Sequence, residues 1–237
     1  MTISRRFALT GLATLLLTAC VGGGGGFKTD YAPLGTDVTG GWRLSDVRVS
    51  VPNSLVISEQ ETLVPDADIV WREDPLGDRR AQVATIIKAA VTKGARGLHG
   101  SRGVIIEVTV TRFHAMTWKA EQSEADWGVH NIRFDARVVD AHSGAELLPM
   151  THIEAEFPAL SGAKMREARA KGITQKSMIT AHVANTVAGW LGIGPDNRNT
   201  FQRAGNRQKQ GGRRSKTATP TQRHACMTGA AHANRRT

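Results

Sequence analysis

Cysteine is scarce: 237 residues hold two, Cys20 and Cys226. Two thiols cannot build the disulfide framework that replaces a core in small secreted domains, so the fold must rest on apolar burial. Tyrosine occurs once and aromatics make up 5% of the chain. Acidic residues are missing after Asp196, and Ile, Leu and Val are missing from 197–237. A segment so poor in apolar side chains cannot offset its chain entropy, which predicts a disordered tail. The apolar run Phe7–Leu17 is too short for a bilayer, which needs roughly 20 residues. There is no His-x-x-x-His pair and no Cys/His cluster, which excludes the common zinc motifs. Ser101 and Ser143 lack a nucleophile-elbow context, and Gly22–Gly26 precede no strand–helix unit that would make them a phosphate loop.

The charge that is present is unevenly placed. The net charge is +10, but ten Lys or Arg follow Asp196 and two more stand at Arg5 and Arg6. The remaining 19 bases face all 21 acids, so the body carries about −2. The basic tail allows three readings: a solvated extension without a role, electrostatic contact with an anionic surface such as lipid headgroups, or nucleic-acid binding. Without interleaved aromatics for stacking, the last is disfavoured, and no nucleic-acid partner is expected.

Patterning predicts the body. Trp42–Val51 alternates as a strand, with a phase change near Ser45-Asp46 that suggests a bulge. Residues 27–41 read as a linker and 53–79 as a long loop. Asp78 caps a helix whose apolar stripe is Val83, Ile86, Ile87, Ala90 and Val91, and Gly94 and Gly97 end it. Strands follow at Gly103–Thr117, Trp127–Ala141 and Glu146–Phe157, as an antiparallel meander with one wet face. Residues 119–126 connect the first two, and Asp140-Ala-His-Ser-Gly144 is a tight turn. A polar, partly helical connection at 159–172 leads to a second helix, Ile173–Trp190. The expected fold is α+β: a two-layer sandwich with a four-stranded, mainly antiparallel sheet covered by two helices, in the order β-α-β-β-β-α.

Few residues invite chemistry. His99, His114, His130, His142 and His152 are spread along the chain; His114 and His130 lie on neighbouring strands and are placed to face each other, yet no carboxylate stands at a fixed offset. The loop acids Glu59, Glu61, Asp66, Asp68, Glu73, Asp74 and Asp78 match no EF-hand order, and caps and turns account for most of them. Trp71, Trp118 and Trp127 stand at loop or strand ends, open either to core packing or to exposure as partner anchors. No catalytic, metal or cofactor-binding residue is expected, and the chain does not read as an enzyme.

The amino terminus carries a resemblance. Arg5 and Arg6, the apolar run and Leu17-Thr18-Ala19-Cys20 resemble the leader and lipobox of bacterial envelope lipoproteins. The resemblance implies cleavage before Cys20, thioether diacylation of its sulfur, and acylation of the new amino terminus. Two or more chains give stable anchoring. Val21 rather than Asp follows Cys20, which by enteric sorting implies the outer membrane, facing the periplasm. Ser4-Arg5-Arg6 leaves export open between the general secretory and twin-arginine routes. The expected division is signal 1–19, lipidated Cys20 with a Gly-rich tether to 41, a periplasmic domain 42–196, and the tail 197–237. The segments Pro65-Asp-Ala-Asp-Ile-Val-Trp71, Gly77-Asp-Arg79, Val108-Thr-Val-Thr-Arg-Phe-His114 and Phe134-Asp-Ala-Arg-Val-Val-Asp-Ala-His-Ser-Gly144 resemble an uncharacterised bacterial lipoprotein family of unknown function, over about 42–200. At fold level the body is similar to TolB amino-terminal and transport-auxiliary periplasmic domains. These resemblances imply a non-enzymatic adaptor or assembly factor with a membrane anchor and an envelope protein partner. The alternative is a periplasmic carrier of a small ligand or lipid, with a pocket between helices and sheet.

Overall fold

The computed structural model describes residues 26–203. The signal, Cys20 and the tail beyond 203 lie outside the described residues. The elements are β1 (Phe27–Asp30), α1 (Thr36–Thr39), β2 (Trp42–Ser50), β3 (Ile69–Val70), α2 (Arg79–Gly94), β4 (Arg102–His114), α3 (Trp118–Gln122), β5 (Val129–Asp140), β6 (Glu146–Ala155), β7 (Phe157–Pro158), α4 (Gly162–Ala170), α5 (Gln175–Trp190) and β8 (Gln202–Arg203).

The long strands form because alternation gives each one apolar face. Val104, Ile106, Val108 and Val110 of β4 are buried, as are Ile132, Phe134, Ala136 and Val138 of β5 and Ile153 and Ala155 of β6. They meet Val83, Ile86, Ile87 and Val91 of α2 and Ile179, Val183, Val187 and Trp190 of α5 in one core. Each Val, Ile or Phe among them contributes about 1.5–3 kcal/mol when fully buried. The Asp78 carboxylate caps α2 by accepting from Ala81 N, and Thr174 and Ser177 form a capping box on α5. The two long helices approach closely at Gly94, where a Cβ would stand 2.5 Å from Ala184 O. Gly144 turns β5 into β6 at φ 73°, while Asp140 accepts from the His142 and Ser143 amides.

The four-stranded, mainly antiparallel sandwich is overturned. The sheet is mixed and has eight strands, in the order β2-β4-β5-β6-β1-β8, with β3 also on β4 and β7 also on β5. β2 and β3 pair with β4 in parallel, and α2 provides the crossover that parallel pairing needs. The four strands absent from the expectation are two to four residues long, too short for a period-2 signal. Pairing with distant chain creates them. The linker reading of 27–41 misses β1 and α1, the loop reading of 53–79 misses β3, and the tail reading from 197 misses β8. Among the described residues there are five α-helices rather than two. The phase change in β2 is a register shift between Leu44 and Asp46.

Candidate functional site

The open face of the sheet follows from the same alternation. With Ile132, Phe134 and Ala136 turned in, Arg133, Asp135 and Arg137 turn out; β6 presents His152 and Glu154, and β1 presents Lys28 and Asp30 around a buried Thr29. Register places Asp135 opposite His152, Arg133 opposite Glu154, and Asp30 opposite Glu154. Lys28, Asp30, Tyr31, Ala32, His152 and Glu154 line an open cleft of about 390 Å³.

The cleft is a charge-paired surface. His152 Nδ1 lies 2.6 Å from Asp135 Oδ1. Lys28 Nζ pairs with Asp30 and stands 3.4 Å from Glu154; the hydrogen bond to Asp30 is the main reason its pKa is raised. Behind it, Glu156 is fully buried, accepting from Arg133 Nε at 2.6 Å and from the Lys28 amide at 2.8 Å. Burial raises its pKa, and Arg133 opposes that rise. Tyr31 Oη donates to Asp196 Oδ1 at 3.0 Å and accepts from the Asn197 amide at 3.1 Å, while Arg198 sits 5.5 Å over its ring. Burial is the first cause raising the Tyr31 pKa. The His152–Asp135 pair has the form of an imidazole oriented by a carboxylate.

Below the cleft lies a stack of rings. The His130 and Phe157 centroids are 4.8 Å apart, and Phe157 and His182 are 4.3 Å apart. Thr29 Oγ1 donates to Glu156 O at 2.8 Å, so it accepts from His182 Nε2 at 3.0 Å. His130 is fully buried, and neither ring nitrogen has a partner among the described residues. Burial pushes its pKa down to about 3 and that of His182 to about 4.

The other residues considered from sequence have structural places. His114 Nε2 lies 3.1 Å from Pro65 O and opposite Asn131 rather than bonded to His130. His99 bridges to Arg43. No group of three potential metal ligands occurs among the described residues. The loop acids hold the loop. Glu59 binds Arg72 and Arg79, Glu61 binds Arg72, and Asp68 accepts from the Val56 amide. Glu73 accepts from the Gln175 and Lys176 amides, and Asp74 from Trp71 Nε1. Between helices and sheet, Trp71, Phe113, Phe134 and Trp190 are each under 2% exposed.

Trp118 and Trp127 are the exposed tryptophans, at 37% and 39%. Arg169 lies 5.2 Å over the Trp118 ring, held by two bonds to Glu121 (2.7 and 2.8 Å) and a pair with Glu73 at 2.9 Å. Thr117 Oγ1 donates to Thr62 O at 2.8 Å, which fixes exposed Leu63 and Val64 near this platform.

The model of a family of unknown function, DUF6778, matches residues 42–206. The chain belongs to this family. The DUF6778 span covers most of the sheet and both long helices but begins after β1, so Lys28, Asp30 and Tyr31 of the cleft lie upstream of it. No curated protein matches the chain. Among solved structures, the PelC dodecamer from Paraburkholderia phytofirmans is similar at 12% identity and a TM-score of 0.32, over 71% of this DUF6778 chain and 99% of that one. A candidate lipoprotein from Caulobacter crescentus CB15 is similar at 12% identity and a TM-score of 0.29, over 60% and 84%. The expected fold-level likeness to TolB amino-terminal and transport-auxiliary domains is not shown.

Proposed function

We propose that this DUF6778 protein is a lipid-anchored envelope protein, held through Cys20 at the outer membrane and facing the periplasm, that works as a non-enzymatic adaptor or assembly factor. The lipobox Leu17-Thr18-Ala19-Cys20 supports the anchor. The observation that carries the adaptor reading is the Trp118–Arg169 platform. Trp and Arg are the side chains most enriched where protein interfaces concentrate their binding energy. Here both are ordered before any partner arrives, because Glu121 and Glu73 hold the guanidinium. Pre-ordering lowers the entropy cost of association.

In-cell crosslinking of a tagged full-length protein tests the reading, run beside Cys20→Ser and Trp118→Ala. The expected result is a defined envelope partner captured by the wild type and lost in both variants. Capture unchanged by Trp118→Ala refutes the platform as the docking site. Absence of any partner from the acylated form refutes the adaptor role.

A further inference from the structure

Apolar burial does little to hold β1 in place. Its four residues pair with β6 at Thr29↔Ala155 and Asp30↔Glu154, and Thr29 alone among them is buried. Among the described strands β8 pairs with β1 only, and it reaches the body through Arg203 Nη1, 3.2 Å from Gly128 O. Just downstream, Tyr31 is fixed by Asp196 and Asn197, and the Leu34 amide bonds Trp190 O at 2.7 Å. The strand is thus a strap hinged at Tyr31 and clamped at Thr29. Thr29 Oγ1 gives its hydrogen to Glu156 O, so His182 donates to it from Nε2. That bond sets the neutral ring as the Nε2–H tautomer and leaves Nδ1 as a bare lone pair. We propose that β1 is an acid-released strap: protonation of His182 detaches Phe27–Asp30 from β6 and takes the cleft apart.

The incoming proton adds a hydrogen at Nδ1, where no described side chain accepts it. The bond to Thr29 survives, but a positive charge now sits on a ring stacked 4.3 Å from Phe157 of β7. Behind Phe157 stands His130 of β5, which is fully buried, has no partner for either nitrogen, and feels His114 of β4 as well as His182. None of these groups is an anion. The Glu156 carboxylate is turned to Arg133 Nε and the Lys28 amide, and Lys28 Nζ is turned to Asp30 and Glu154. Glu156, raised by burial, takes a proton more readily while β1 is closed and works against release. Lifting the strap brings water to His182 at the loss of one buried side chain, Thr29, and leaves the core shut. Lys28 and Asp30 leave with it, so the cleft loses a wall. His182 titrates at about 4 in the closed form and near 6.5 once exposed, which favours opening about thirtyfold more at pH 5 than at pH 7.5.

Amide hydrogen exchange of the full-length protein tests the strap. It is read at Lys28 and Glu156, because Lys28 N bonds Glu156 Oε2 and Glu156 N bonds Lys28 O. Rates are divided by the intrinsic rate at each pH. The expected result is an open fraction that rises about thirtyfold from pH 7.5 to 5 at both amides, while Val104–Val110 of β4 stays protected. His182→Gln, which carries a donor that does not titrate, is expected to abolish the rise. Thr29→Val keeps the volume without the hydroxyl and is expected to open the strap about fivefold or more at pH 7.5. A change below about threefold in the wild type, or a rise that persists in His182→Gln, overturns the proposal. So does exchange unchanged in Thr29→Val, or loss of protection in β4 by the same factor as in β1.

Discussion

Acidification from pH 7.5 to 5 should cost this fold about 4 kcal/mol, and two imidazoles, one buried and one half-buried, are the reason. In the unfolded chain a histidine titrates near 6.5 and is largely protonated at pH 5. In the folded chain His130, pushed down to about 3, and His182, pushed down to about 4, remain neutral. The unfolded state then binds about two more protons, so stability falls as pH falls from about 6.5 toward 4. At 1.36 kcal/mol per pKa unit, each group contributes about 2 kcal/mol over that interval. The figure needs only that both folded values lie below 5. His114, also lowered by burial, acts in the same direction, and buried Glu156, whose pKa is raised, opposes it. The His130→Phe variant separates the contributions. It keeps a ring against Phe157 and removes two nitrogens without partners, each a desolvation cost of about 1–3 kcal/mol. The variant should match or exceed the wild type at pH 7.5 and lose about 2 kcal/mol less on acidification. Urea unfolding, followed through the buried Trp71 and Trp190, measures both. A wild type equally stable at pH 7.5 and 5, or a variant with an unchanged pH slope, would refute the reasoning.

Two further substitutions test how the body is held. Gly94→Ala should lower stability by about 2 kcal/mol through overpacking, since its Cβ would meet Ala184 O at 2.5 Å and Val187 Cβ at 2.8 Å; an unchanged thermal midpoint would show that the helices do not need this approach. Arg72→Lys should cost about 2 kcal/mol and speed proteolysis within residues 53–68, because an ammonium cannot reproduce the guanidinium fork that donates to Ser58 O, Trp71 O and Glu61 at once; cleavage at the wild-type rate would count against that role.

The long elements were legible because one local rule decides each of them. Val104 to Val110 alternates cleanly, and Asp78 stands where a helix needs an acceptor for its first amides. The sheet's extent was not legible. Thr29 reads as a polar residue in a linker, and only its pairing with Ala155 of β6, far along the chain, makes it part of a strand. The cleft was hidden for the same reason, since Lys28, Asp30 and Tyr31 belong to that segment. The acids of the 53–79 loop were visible as a group, but their partners were not: buried Arg72 and Arg79 answer Glu59 and Glu61 through tertiary contacts. Trp118 could be marked as a strand-end tryptophan, whereas the Arg169 that sits over it comes from a segment read only as a polar connection.

The pairing of β1 also sets an order of assembly. Its partners on β6 and β8 lie more than a hundred residues downstream, and closing such a loop costs about 4 kcal/mol of chain entropy. The first strand to be synthesised therefore waits for the last one, and the cleft it shares with His152 and Glu154 is completed only when nearly the whole body has been made. The same edge is the natural first unit to detach from the native state. Loss of four residues of strand would expose Thr29 and the rings beneath it while the packed helices and central strands remain closed.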